Sequence, residues 1–232
     1  KSLYYQLKEV LTDRIISREW KVGEKIPTEL QLCEQYDVSR ITVRQALAEL
    51  EQEGFVKRKQ GKGTFVSMPK IEQNLMSFYS FSEEFRKRGL EPSNKILSFS
   101  SRIAYAEVRK HFEIEGDDPV IYFKRLRYAD NLPMAIERTY LPSSLFPGLT
   151  EEQVIGTSLY DIMRNEYGII PSAAEESIGA TIINESQAEL LDLPVGAAAL
   201  DLRRTAFCGS RCVEYTFGII RADMFRFRVR LE

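Results

Sequence analysis

The chain has 232 residues, 44% hydrophobic and 28% charged, with a formal net charge of −2. That is the composition of a folded soluble protein, long enough for one large domain or two modest ones, and far from a disordered tail. So even a charge balance excludes a protein that coats nucleic acid or anionic membrane along its whole length.

Where the charges lie is more informative. Residues 1–67 hold 12 Lys and Arg against 10 Asp and Glu, and the stretch 54–66 carries Lys57, Arg58, Lys59 and Lys62 with no acid. A basic tip on a near-neutral body suits a small, directed contact with phosphate. Cys33, Cys208 and Cys212 make no disulfide framework, and no Cys/His spacing forms a metal-ligand set. A reduced, cytoplasmic protein with no metal and no cofactor is expected. No apolar run nears the roughly 18–20 residues that span a bilayer. The start, KSLYYQLKEVL, is amphipathic and charged rather than a signal-peptide block, so no membrane partner is expected.

Leu3, Leu7, Val10, Leu11 and Ile15 recur every three or four residues and predict a first helix ending near Arg18–Trp20. A turn around Gly23 and an apolar anchor, Ile26, precede Pro27. Thr28 is placed as the N-cap of a short second helix through Tyr36, with Leu30, Leu32 and Cys33 on its buried side. Asp37-Val38-Ser39 leaves room only for a tight turn. Ser39 then caps a third helix with the core stripe Val43, Ala46, Leu47 and Leu50, and Gly54 stops it. Two β-like runs, Phe55–Arg58 and Thr64–Val66, flank a loop whose Gly61 and Gly63 permit positive φ. Helix, helix, turn, helix and hairpin in that order is the plan of a winged helix-turn-helix.

If the apolar stripe faces inward, Arg44 and Gln45 lie outside, with Arg40 and Thr42 on the first turn. Residues at that end of such a helix reach base edges in a major groove. Arginine pairs with guanine and glutamine with adenine bidentately. The helix start, with the hydroxyls of Ser39 and Thr42, suits phosphate oxygens.

These residues also carry a resemblance. VSRITVRQALAELEQEGFVKRKQGKGTFV resembles the DNA-binding signature of the GntR superfamily of bacterial transcription regulators, and the likeness runs from Leu3 to Val66. It implies base and phosphate contacts from Arg40, Thr42, Arg44 and Gln45. It implies a wing inserted at the minor groove through Gly61, with Lys62, Gly63 and Thr64 beside it. Thr28 and Glu29 match the Ser/Thr-Glu pair that opens the family's second helix. Many members follow that pair with an arginine that touches DNA; here the residue is Leu30.

Met68–Leu75 loses periodicity and contains a proline, which marks an interdomain linker. A helix over Ser82–Arg88, closed by Gly89, is followed by strand-like runs at Lys95–Ile103, Val120–Ala129, Met134–Leu141, Ala173–Ile183, Ala199–Cys208, Cys212–Ile220 and Phe225–Leu231. Asp130-Asn131 and Gly209-Ser210 are hairpin turns. Helices are expected at Ala104–Phe112, Leu159–Tyr167 and Glu185–Leu191. Together these predict an α+β domain built on an antiparallel sheet. Cys208 and Cys212 flank a turn and are expected to be cross-strand neighbours, as ordinary thiols. His111, the only histidine, is expected on the surface, since no nucleophile pattern accompanies it.

SFYSFSEEFRKRGLEPSNKILSFS and EYTFGIIRADMFRFRVRLE resemble the effector-binding UTRA domain of the HutC subfamily, whose fold is similar to chorismate lyase. The resemblance implies a pocket for a small anionic metabolite, most often a sugar phosphate. It implies ligand contacts from Phe81, Ser82, Arg125, Arg127, Glu137, Ser158, Tyr160 and Glu214. The residue chemistry agrees: Arg125 and Arg127 alternate by two, so both face one side of a strand and suit an anion. Glu137 lies across the Asp130-Asn131 turn. Ser158 and Tyr160 sit where a loop becomes a helix, and Ser80-Phe81-Ser82 offers the same at another helix start. The tyrosine common six residues past the last glutamate is Ile220 here.

The expected organisation is therefore a winged helix-turn-helix over 1–67, a linker over 68–75 and a UTRA-like effector and dimerisation domain over 76–232. The expected function is a one-component transcriptional repressor acting as a homodimer on a two-fold symmetric double-stranded DNA operator. Its C-terminal sheets would pair the subunits, and the effector would change the spacing of the two winged helices. Two alternatives are a chorismate-lyase-like enzyme fused to a DNA-binding module and a regulator controlled by a protein partner. Against the first, the sequence holds no acid/base pair, nucleophile or metal cluster suited to catalysis.

Overall fold

The computed structural model describes residues 2–67, 71–74, 81–114, 116–156 and 158–228, except the side chains of 71–74 and 228. The chain divides into two compact units, Lys1–Ile71 and Glu72–Glu232. Among the described residues no helix is long and apolar enough to cross a membrane.

In the first unit α1 (Leu3–Ile16) buries Leu7, Leu11 and Ile15 and leaves Leu3 and Val10 exposed. It stops short of the expected Arg18–Trp20. Arg18 turns left-handed at φ 65, and Trp20 folds back into the core. The helix α2 (Glu29–Tyr36) opens with a reciprocal cap. The Thr28 hydroxyl accepts from the Gln31 N–H while the Gln31 side chain accepts from the Thr28 N–H. Leu32 is fully buried and Cys33 half-buried, but Leu30 is 57% exposed. That corrects its expected place in the core: residues two apart on a helix point to opposite sides, so burying Leu32 turns Leu30 outward.

Asp37, left-handed at φ 52, makes the tight turn into α3 (Arg40–Gln52). Ser39 caps α3 by accepting from the Thr42 N–H, and Val43, Ala46, Leu47 and Leu50 are all buried. Gly54, at φ 85, ends the helix. The hairpin β1 (Val56–Lys59) and β2 (Gly63–Val66) pairs antiparallel, with buried Val56 opposite buried Val66. A bridge from Lys25 to Phe65 adds a third arm.

The predicted linker is not wholly irregular. Its residues β3 (Ile71–Asn74) form a strand, while Met68, Pro69, Lys70 and Leu75 lie outside the described residues. The partner of β3 is the last strand in the chain, a non-local pairing that local periodicity cannot show.

The second unit continues with α4 (Phe81–Lys87), β4 (Pro92–Ile103), α5 (Ala106–Phe112), β5 (Pro119–Ala129), β6 (Leu132–Pro142), α6 (Glu151–Gly156) and α7 (Leu159–Tyr167). There follow β7 (Ala173–Ile182), α8 (Glu185–Leu191), β8 (Ala198–Cys208), β9 (Arg211–Arg221) and β10 (Phe225–Arg228). The end of the last predicted strand, 229–231, lies outside the described residues. Six strands form one antiparallel sheet in the order β4-β5-β6-β9-β8-β7. The fold is α+β. The turn between β5 and β6 has both Asp130 and Asn131 at positive φ, 47 and 62, which matches the twist of a two-residue hairpin.

Alternation with period two sorts the sheet into two faces. Ile121 and Phe123 pack against α6 and α7 through Val154, Leu159, Ile162 and Met163. Val120 and Tyr122 pack on the other side against Val108 of α5, and Leu126 and Ile136 against Ala188 and Leu191 of α8. The helix α6 was not anticipated from the sequence. Its signal is the pair Thr150 and Gln153, which bond each other's backbone N–H as a capping box. Cys208 and Cys212 are not cross-strand partners, because a bulge between Ala206 and Phe207 sets Cys212 opposite Phe207 and Cys208 opposite Arg211. Both thiols are free. His111 is exposed and lies over the Tyr215 ring at 4.0 Å.

Candidate functional site

Two candidate sites lie in separate units. In the first, burying one stripe of α3 leaves Arg40, Arg44 and Gln45 exposed and Thr42 half-buried. Arg44 is not loose: its Nε donates to Glu29 Oε2 at 2.9 Å, so the start of α2 holds the arginine that projects from α3. Thr28, the cap of α2, is exposed beside that pair. Ser39 Oγ lies 2.9 Å from Thr42 Oγ1, and each hydroxyl retains capacity for a further acceptor or donor.

The wing is shaped by its glycines. Gly61 and Gly63 stand at φ 70 and 121, where a side chain is strained. Lys62 and Gly61 are exposed, and Gly63 and Thr64 half-buried. The Thr64 carbonyl accepts from the Ile26 N–H, which anchors the wing to the first unit's core. Arg58 is drawn back along α3, its N–H bonded to Glu51 at 2.9 Å. Lys59 lies over the Phe65 ring at 4.6 Å.

In the second unit all eight sequence-predicted pocket residues meet around one small cavity of about 20 Å3, largely filled by their own side chains. Phe81 and Ser82 come from α4, Arg125 and Arg127 from β5, Glu137 from β6, Ser158 and Tyr160 from the start of α7, and Glu214 from β9. Ser80, the third member of its predicted trio, lies outside the described residues. Register explains the first pairing: Arg125 sits directly opposite Glu137. Its Nε donates to Glu137 Oε2 at 2.8 Å, and Arg127 Nη1 reaches the same oxygen diagonally at 3.0 Å. Arg127 Nη2 also donates to Ser82 Oγ at 2.7 Å, with the guanidinium over the Phe81 ring at 5.7 Å.

All three charged side chains are buried. Burial by itself would raise the Glu137 pKa, but the charges of Arg127 and Arg125 and their hydrogen bonds outweigh it and hold it at about 2. The same burial lowers the pKa of Arg127, against the pull of Glu137, yet a guanidinium stays protonated.

The far wall of the cavity was not legible in the sequence. It contains Arg204, Thr216, Leu202 and Leu159. Arg204 Nη1 donates to the Tyr160 hydroxyl at 3.0 Å, and its Nε donates to Glu176 of β7. Tyr160 donates in turn to Glu214 Oε2, whose other oxygen accepts from Thr216 at 2.6 Å. Burial pushes the Tyr160 hydroxyl pKa well up, so it acts as a neutral donor. Nothing local marks Arg204, whose strand reads as ordinary alternation; the β7-β8-β9 pairing brings it in. Ile220, where the resemblance implied a tyrosine, is buried opposite Ala135 and Leu200 and is not among the residues lining the cavity.

Three arginines and two glutamates line the cavity, an excess of one formal positive charge, and Glu176 behind Arg204 offsets it. Such a site offers guanidiniums to an anion and carboxylates to hydroxyls. Among the described residues no His, Cys, Asp and Glu cluster is placed to hold a metal ion.

Comparison with known proteins adds an independent line. Residues 3–66 match the model of the bacterial regulatory proteins of the gntR family, and residues 87–226 that of the UTRA domain. The chain is similar to the HTH-type transcriptional repressor NagR of Bacillus subtilis, 31% identical over 97% of this chain and 93% of that one. It is also similar to the mannosyl-D-glycerate transport/metabolism system repressor MngR of Escherichia coli, 30% identical over 98% and 95% respectively. Among solved structures, PhnF from Mycobacterium smegmatis superposes with a TM-score of 0.71 at 28% identity, covering 97% of this chain and 98% of that one.

Proposed function

This chain belongs to the gntR family of bacterial regulatory proteins and carries a UTRA domain, and from that premise we propose that it is a metabolite-controlled transcriptional repressor. The family is one of DNA-binding transcription regulators, not of enzymes, which sets aside the lyase alternative. The protein works in the cytoplasm as a homodimer on a two-fold symmetric operator. Symmetry follows from the small contact that one winged helix makes, too little for useful specificity alone.

On the DNA side Arg40, Arg44 and Gln45 read bases in the major groove. Thr28, Glu29, Ser39 and Thr42 secure the backbone or orient the readers, while Gly61, Lys62, Gly63 and Thr64 form the wing. On the effector side the ligand is a small anion, and a sugar phosphate fits best. Two similar proteins carry repressor in their names, and one of these is named for the mannosyl-D-glycerate transport/metabolism system.

The single observation that carries this proposal is the carboxylate of Glu137 held between two buried guanidiniums within a cavity lined by hydroxyls. The chain supplies its own anion where a ligand's anion would go. A phosphate, with more charge and more acceptor oxygens, competes for the same donors, while Tyr160, Ser158 and Glu214 meet sugar hydroxyls. Rearranging those side chains gives the ligand a differential affinity for two states, which is what control of DNA binding requires. DNA must then weaken ligand binding by the same factor.

A thermal-shift screen with phosphorylated sugars and amino sugars tests this directly, since a ligand raises stability by mass action. The expected hit raises Tm in the wild type, not in Arg125→Ala, and lowers operator affinity at saturation. Operator affinity unchanged by every stabilising compound would overturn the coupling, and would favour control by a protein partner.

A further inference from the structure

The outer face of α3 is polar apart from one large residue. Arg40, Arg44, Gln45, Glu51 and Gln52 are exposed, and among them Ile41 stands 78% exposed on the first turn. A scattered apolar residue on a surface needs no explanation, but the placement here is particular. Ile41, Arg44 and Gln45 are related as i, i+3 and i+4, so they share one face of the helix. Arg44 is bonded to Glu29, and the next residue along α2 is Leu30, itself 57% exposed. Two branched aliphatic side chains therefore flank the ion pair that orients the chief base-reading arginine.

Neither side chain can hydrogen-bond a phosphate or a base edge. In a major groove the one apolar feature that distinguishes base pairs is the C5 methyl of thymine. Leaving Leu30 and Ile41 in water contributes nothing to the core, whereas placing them against methyl groups removes apolar surface from water on both partners.

We propose that Ile41 and Leu30 are specificity-determining residues that read thymine methyl groups next to the bases addressed by Arg44 and Gln45. The inference rests on the proposal that α3 enters the major groove. A methyl packed against an aliphatic side chain contributes about fourfold in affinity, the equivalent of ~0.8 kcal/mol for a buried CH2-sized group.

The test uses the full-length protein and a duplex selected by it from a randomised DNA pool. Each thymine of the selected duplex is replaced singly by deoxyuridine, which removes the methyl and nothing else. Affinities are then measured for the wild type, Ile41→Ala, Leu30→Ala and Arg44→Ala. The expected result is one or two positions per half-site where deoxyuridine weakens the wild type about fourfold. At those positions Ile41→Ala or Leu30→Ala no longer distinguishes thymine from deoxyuridine. The proposal is overturned if the selected half-sites lack thymine, if no methyl matters, or if both alanine variants discriminate as the wild type does. An Arg44→Ala variant with undiminished specific binding would instead show that α3 does not lie in the groove, and both proposals would fall.

Discussion

Replacing Glu137 with Gln should remove the charge that holds the cavity together while keeping the shape of the side chain. In the wild type one carboxylate oxygen serves Arg125 Nε at 2.8 Å and Arg127 Nη1 at 3.0 Å, with all three groups buried. The Glu137 pKa lies at about 2 against an ordinary 4.5. A depression of that size corresponds to about 3 kcal/mol of preference for the folded ion pair. Removing one partner of a buried pair costs a similar ~3–5 kcal/mol, because the guanidiniums are left facing each other without a counter-charge. The sign of the pH dependence follows. A depressed carboxylate contributes fully above its unfolded pKa, and the contribution is lost as pH falls from about 4.5 toward 2. Urea unfolding followed by circular dichroism at several pH values provides the assay, with Trp20 fluorescence as a separate reporter of the first unit. At pH 7 the variant should be about 3 kcal/mol less stable in the second unit. The gap should narrow as the wild type is taken below pH 4. A gap that is absent at pH 7, or constant from pH 7 down to 2, would refute the assignment of the ion pair as the holding element.

Other substitutions probe the first unit and the thiols. Thr28→Ala should cost about 1 kcal/mol by removing one arm of the α2 capping box, read as a lower Tm of the Trp20 signal. Gly63→Ala should destabilise more than Gly61→Ala in urea titrations. Both strain a positive φ, at roughly 1–3 kcal/mol for such a backbone, but φ 70 at Gly61 lies near the left-handed well that other residues can enter, whereas φ 121 at Gly63 lies far outside it. Burial pushes the Cys212 thiol up to about 11, so at pH 8 a thiol reagent should label Cys212 more slowly in the folded protein than in urea. Equal rates by mass spectrometry would contradict its burial.

Local chemistry was enough for most of the first unit. Caps at Thr28 and Ser39, the apolar stripe of α3 and the glycines of the wing all act within a few residues, so pattern and structure coincide there. Leu30 escaped that logic because which side of a short helix is buried depends on what packs against it. In the second unit the Asp130-Asn131 turn and the bulge between Arg127 and Tyr128 together set the register that places Arg125 opposite Glu137, so one hairpin brings the buried ion pair of the cavity together.

The rest of the cavity does not follow from it. Arg204, Thr216 and Glu214 reach the cavity because β9 inserts between β6 and β8 while β7 closes the sheet beyond them. The strand β3 inside the expected linker exists because β10, at the other end of the unit, supplies its hydrogen bonds. Elements, caps and the exposed face of α3 were thus determined by residues close in sequence, whose interactions survive in any fold that keeps those segments. Which side chains of β8 and β9 join the cavity was decided by strand order, since hydrogen-bond ladders join segments far apart in the chain and no local pattern records which strands they join.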